Sequence, residues 1–229
     1  MIESTEFSEE NSKTFLVDSL GDYSCVIVVN DIGFGNTVEF ESTPVSVTNW
    51  PSRLITKVEA VNATALKITW TPVKGAQRYE VYRAQNKAGP YKLVKAMTAA
   101  CLTNTYLSAG TQYYYKVRFL SAQGSWSPLS TYVTGVPVAK AVITSITAPS
   151  ARRIRLAWAK AAGASGYQVL LSSSPAGPYR VVRTLPGTTV TFSGLKKRSR
   201  LYFQVRPYRK IYSTVYYGVP SKYRVALVK

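Results

Sequence analysis

A phrase that recurs 88 residues apart constrains this chain more than any other feature. Tyr79 to Arg83 reads YEVYR and is followed by Gly89-Pro90-Tyr91; Tyr167 to Leu171 reads YQVLL and is followed by Gly177-Pro178-Tyr179. Trp70, which closes LKIT, has its counterpart in Trp158, which closes IRLA, at the same offset. Self-similarity at a fixed period marks a structural unit present twice. A unit of this size can bury a core of its own without metal or disulfide staples. The two cysteines, Cys25 and Cys101, fall in different parts of the chain and are expected as free or buried thiols, not as a disulfide framework.

Within each unit the apolar residues alternate, as in strands with one buried face. Leu66-Lys67-Ile68-Thr69-Trp70 and Arg153-Ile154-Arg155-Leu156-Ala157-Trp158 share the pattern, and Tyr79, Val81 and Arg83 match Tyr167, Val169 and Leu171. The Gly-Pro pairs interrupt the strand signal, which resumes at Tyr91–Lys95 and Tyr179–Arg183. Tyr113 to Phe119 and Leu201 to Arg206 are the most periodic strands, and final strands are expected at Leu129–Val136 and Ser221–Val228. About seven short strands per unit, with no helical stripe, predict an all-β chain of two-sheet sandwiches. The boundaries expected are residues 51–139 for the first module and 140–229 for the second. Pro137, in the short connection Gly135–Lys140, should restrict the hinge between them.

These residues resemble tandem immunoglobulin-like sandwiches of fibronectin type III type, in particular those of bacterial extracellular and surface proteins, over residues 53–229. The resemblance makes Trp70 and Trp158 the core tryptophans, Tyr79 and Tyr167 the core aromatics of the third strand, and Phe203 a core residue of the penultimate strand of the second module. It makes Tyr113, after Leu107 and Ala109-Gly110-Thr111, a tyrosine corner. The second module departs there, because Leu201 stands in the corner position and the loop before it, Leu195-Lys196-Lys197-Arg198-Ser199-Arg200, is strongly basic. Such domains serve mainly as spacers, scaffolds and binding modules.

Residues 1–50 resemble the last part of an immunoglobulin-like domain, with Tyr23 as corner tyrosine, Cys25 as core cysteine, a hairpin loop at Asp31–Asn36 and a last strand over Thr37–Thr48. They are expected to form a partial domain or a short β-hairpin cap. The apolar run Val26–Val29 favours packing or self-association through residues 19–48. The polar, acidic N-terminus lacks the pattern of a signal peptide, and no stretch has the roughly 18 apolar residues of a membrane span. The sequence is expected to be a fragment of an extracellular or cell-surface protein whose signal lies upstream, although a cytosolic location also fits.

Charge is segregated. Residues 1–50 hold nine of the chain's 11 acids and a single base, Lys13, while residues 51–229 hold 28 of its 29 bases and only two acids, Glu59 and Glu80. The second module has no acidic residue. A surface of one sign attracts polyanions, so the candidate partners are an anionic polysaccharide, a wall polymer or an acidic protein, with nucleic acid as a rival. The acidic first segment could also pair with the basic remainder.

Catalysis finds little support. The chain has no histidine, so neither a serine nor a cysteine triad can form. Glu59 and Glu80 lie on different predicted strands. Gly33 and Gly35 lack the lysine and helix of a phosphate loop, and no spacing recommends a metal, so no cofactor is expected. The candidate binding residues are Lys196, Lys197, Arg198 and Arg200 in one loop, and Tyr208, Arg209, Lys210, Tyr212, Tyr216 and Tyr217 in a segment four residues longer than its counterpart before Pro128. Tyrosines can stack on sugars or bases while the cations attract anions. The expected function is therefore a noncatalytic spacer or adhesion module. A nucleic-acid-binding module and an accessory region of a larger secreted enzyme are the alternatives.

Overall fold

The computed structural model describes residues 53–229 in full and, before them, only the backbone of short strands. Those are β1 (Gly21–Tyr23), β2 (Val26–Asn30), β3 (Thr37–Glu41) and β4 (Val45–Val47), which belong to a compact unit of their own, Met1–Pro51. β2 and β3 form an antiparallel hairpin, from Val26 opposite Glu41 to Asn30 opposite Thr37, and β1 pairs with β4. The single last strand expected over Thr37–Thr48 is thus two strands with different partners. Pro44 lies between them and has no N–H to offer a ladder. Cys25 and the side chain of Tyr23, and with them their expected core roles, lie outside the described residues.

The second unit, Ser52–Lys229, is built of antiparallel strands throughout. β5 (Ile55–Asn62), β6 (Ala65–Trp70) and β9 (Cys101–Asn104) form a three-stranded sheet. β7 (Arg78–Ala84), β8 (Lys92–Met97), β10 (Tyr113–Leu120) and β11 (Val133–Gly135) form a four-stranded one in the order β11-β10-β7-β8. The arrangement recurs in β12 (Ile143–Thr147), β13 (Ile154–Trp158) and β16 (Thr189–Phe192). The matching larger sheet comprises β14 (Gly166–Ser172), β15 (Arg180–Leu185), β17 (Arg200–Ile211), β18 (Thr214–Tyr217) and β19 (Arg224–Leu227). Along β10 buried and half-buried residues alternate without exception, the period of two that the sequence carries. Edge strands β8 and β15 are largely exposed, and Lys92, Lys95, Arg180 and Arg183 charge those edges against pairing with other chains.

The final strands are shorter than expected because serines do part of their work. Ser127 Oγ accepts from the Phe119 N–H at 3.1 Å and Ser130 Oγ from the Val117 N–H at 3.0 Å, before β11 begins. In the second sandwich Ser221 Oγ takes the Val205 N–H at 3.0 Å, ahead of β19. The repeated Gly-Pro-Tyr phrase is a local turn. Gly89 and Gly177 adopt φ of 97° and 90°, and the Tyr91 and Tyr179 hydroxyls each fold back to donate to the carbonyl four residues earlier, at 3.1 Å.

Each core is centred on its tryptophan. Trp70 meets Tyr79 and Trp158 meets Tyr167 edge to face, both at 5.5 Å. Both tyrosine hydroxyls accept a backbone N–H, from Val73 at 2.7 Å and Ala161 at 2.8 Å. One set of positions differs as a group. In the first sandwich the buried Tyr115 hydroxyl donates to Asn104 Oδ1 at 2.9 Å, and Arg83 Nη1 donates to the same oxygen at 3.0 Å. Their counterparts are Phe203, Phe192 and Leu171, with the two phenylalanine rings 5.4 Å apart. A polar network has been exchanged whole for an apolar contact, which leaves no orphaned group. Asn104→Phe alone is expected to cost about 1–3 kcal/mol for each buried polar group it orphans. Adding Tyr115→Phe and Arg83→Leu should recover most of that loss, which urea denaturation of the single and triple variants will measure.

The connection between the sandwiches is packed. Val136 and Val138 are buried, Gly110 N–H donates to Pro137 O at 2.8 Å, and Ala139 N–H donates to Ala162 O at 2.9 Å. A side chain at Gly163 would place Cβ 2.6 Å from Gly110 N and 2.7 Å from Pro137 O. Tyr216 of β18 completes the junction, taking a hydrogen bond from Gln112 Nε2 and sharing one with Thr134 Oγ1, each at 2.7 Å.

Candidate polyanion-binding surface

The two basic segments picked out in the sequence lie at opposite ends of β17. With a rise near 3.3 Å per residue, the strand's ends are roughly 35 Å apart. At the start, Lys196, Lys197, Arg198 and Arg200 are all exposed. At the corner position of the first sandwich, Tyr113 accepts the Ser108 N–H at 2.9 Å, which Leu201 has no hydroxyl to do. The basic turn is held by backbone instead: Arg198 N–H donates to Val228 O at 2.9 Å, and Leu195 N–H to Arg152 O at 3.1 Å. None of these four cations has an ion-pair partner among the described residues.

At the other end the tyrosine-rich segment is a strand pair, β17 with β18, turning at Tyr212-Ser213. Its β-branched and aromatic residues suit a pleated surface better than a loop. The candidate residues divide. Tyr216 is committed to the junction, and Tyr208 packs so closely on Gly166 that an added Cβ would sit 2.5 Å from its hydroxyl. Arg209 is partly buried, and its Nε has no hydrogen-bond partner among the described residues. Lys210 is exposed, and Tyr212, at φ 51° and 93% exposure, projects from the turn. Tyr217 is 44% exposed and lies under Arg206, whose guanidinium carbon is 4.2 Å from the ring centroid.

Arg206 is not among the residues that the sequence singles out, and the repeat shows why it matters. Its counterpart Arg118 lies 4.6 Å over the Trp126 ring and is paired to Glu80 Oε2, at 2.8 Å through Nε and 2.7 Å through Nη2. Tyr82 also donates to that oxygen at 2.7 Å. Burial pushes the Glu80 carboxyl up, but hydrogen bonds from Tyr82 and Arg118 and the charges of Arg118 and Arg78 outweigh it and hold the group below the ordinary glutamate range. Its contribution to stability is therefore present at neutral pH and lost as pH falls through that depressed value. In the second sandwich the partner is Gln168, whose Oε1 accepts from Arg206 Nε at 3.1 Å and Nη2 at 2.6 Å. The signal is available at the 88-residue offset, where Glu80 becomes Gln168 while Arg118 becomes Arg206.

Arg206 and Tyr217 line a groove of about 520 Å³, with Val58, Glu59 and Val215 among the other walls. Glu59 is ion-paired to Lys57 at 2.8 Å and about half exposed. Among the described residues no three of His, Cys, Asp and Glu come together as metal ligands, and no helix is long and apolar enough to cross a membrane. Cys101, at the start of β9, is an exposed free thiol.

In each half of Ser52–Lys229 a three-stranded sheet faces a larger one in which the third and sixth strands of that half pair centrally. These are two fibronectin type III-like β-sandwiches in tandem. No family model matches the chain. Exoglucanase B of Cellulomonas fimi is 28% identical over 211 residues, covering 85% of this chain but only 17% of the exoglucanase. The chain thus spans about a sixth of that relative's length. A two-domain fibronectin type III segment of chicken tenascin is 17% identical with a TM-score of 0.40, over 77% of this chain and 98% of that one. An Fn3-like protein of Clostridium thermocellum is 29% identical with a TM-score of 0.32, over 36% of this chain and 90% of that one.

Proposed function

We propose that this chain is a noncatalytic spacer and adhesion region of an extracellular or cell-surface protein, and that it holds an anionic polymer or glycan through residues 140–229. The observation that carries the reading is the absence of any carboxylate side chain in that stretch, whose exposed cations include Lys196, Lys197, Arg198, Arg200 and Lys210. The packed junction supports the spacer role, since two sandwiches held by Tyr216 and the buried Val136 and Val138 transmit position instead of swinging freely. An accessory region of a larger glycan-cleaving enzyme is the second reading, favoured by the partial match to an exoglucanase. In either setting the chain should be retained on heparin and teichoic acid columns at physiological salt and elute as screening increases. Passage through both columns unretained contradicts the binding role.

A further inference from the structure

The two sandwiches carry the same arginine in two electrical states. Arg118 has a carboxylate partner in Glu80, with two contacts under 3 Å, and a second arginine, Arg78, on that same carboxylate at 3.9 Å. Arg206 has Gln168 in that place. The amide oxygen accepts the same pair of guanidinium donors and fixes the same orientation, but it adds no negative charge. Among the described residues Arg206 has no ion-pair partner. It is half-buried, lies over the Tyr217 ring and is held on one edge by Gln168, so little conformational freedom remains to be lost when an anion arrives.

Its surroundings narrow the class of ligand. The groove beside Arg206 has apolar walls in Val58 and Val215 and an aromatic one in Tyr217. A sugar ring offers C–H faces to such walls, and an acidic substituent on it would meet the guanidinium. Among the described residues Glu59 is the single carboxylate side chain on the groove, and its pairing with Lys57 and its exposure weaken its effect on an incoming anion. We infer that Arg206, presented by Gln168 and Tyr217, is a binding site for a carboxylate- or sulfate-bearing sugar unit of a glycan, and that Glu80 closes the equivalent site at Arg118. The inference rests on the reading that the chain binds an anionic glycan, and it locates the specific contact at Arg206 instead of in the exposed Lys196–Arg200 cluster.

Calorimetric titration of the full chain at physiological salt tests it, with tetragalacturonate, a heparin-derived tetrasaccharide and neutral cellotetraose as probes. Gln168→Glu rebuilds beside Arg206 the arrangement that the first sandwich already folds with. It is expected to weaken binding of the acidic probes by about tenfold, the size of one charged hydrogen bond. Arg155→Gln makes the same change in net charge on the opposite sheet, at an exposed position of β13, and should alter binding by less than about twofold. Cellotetraose should bind at least about tenfold more weakly than the acidic probes, because it lacks the group that meets the guanidinium. Equal losses in the two variants would overturn the site and leave only general attraction. Retention on the columns with tetrasaccharide binding indifferent to Gln168→Glu would overturn this site alone, and no binding to any anion would overturn both it and the function above. Should Gln168→Glu not fold, Arg206→Gln is expected to show the same loss, and unchanged affinity in that variant would likewise overturn the site.

Discussion

Trp158→Ala is expected to destabilise the second sandwich by about 3–5 kcal/mol, the usual cost of emptying a large aromatic site in a core that cannot collapse around it. Trp158 is 3% exposed and packs on Tyr167, whose hydroxyl in turn fixes the Ala161 backbone, so its removal unsupports both a ring and a loop. Trp70→Ala should cost a similar amount in the first sandwich, where Tyr79 and Val73 repeat the arrangement. Denaturant unfolding of each variant will show the weakened sandwich melting ahead of its neighbour, a two-step curve in place of one. A loss below about 1 kcal/mol in either variant would mean that the tryptophan is not the centre of its core.

Gly163→Ala has the second largest expected effect, and it acts on the junction. Gly163 holds φ of +81°, where a Cβ is itself unfavourable by about 1–2 kcal/mol. That Cβ would also collide with backbone atoms of Gly110 and Pro137, which have no rotamer by which to yield. The variant should lose about 1–3 kcal/mol. Its amide protons at Gly110 and Ala139, which close the junction by donating to Pro137 and Ala162, should exchange much faster with solvent. Unchanged protection at both would show that the sandwiches are held by something other than this contact.

The interior of this fold is more legible in the sequence than its exterior, for physical reasons. Core positions obey a period of two and demand bulk, so Trp70, Tyr79, Val117 and their counterparts stand out as a repeated pattern. The shortened final strands do not, because a serine hydroxyl standing in for a ladder partner at Ser130 or Ser221 has no signature distinct from a turn serine. The alternate tyrosines from Tyr208 to Tyr217 suit a strand pair, but only its register in the fold commits Tyr216 to Gln112 and Thr134 of the first sandwich. Arg206 is hidden in another way. One more arginine in a basic chain carries no information until its neighbour is known to be Gln168 where the other sandwich has Glu80. The change is a single substitution across the sheet, and only the pairing of β14 with β17 puts the two residues side by side.

If the second sandwich engages an acidic glycan and Arg206 makes the specific contact, the binding footprint must fall on that arginine and its neighbours. Amide and side-chain chemical-shift mapping of the full chain during titration with tetragalacturonate tests this most directly. The predicted result is a footprint centred on Gln168, Arg206 and Tyr217, including the Arg206 Nε–H signal. A footprint confined to Lys196–Arg200, or spread evenly over both sandwiches, would contradict it.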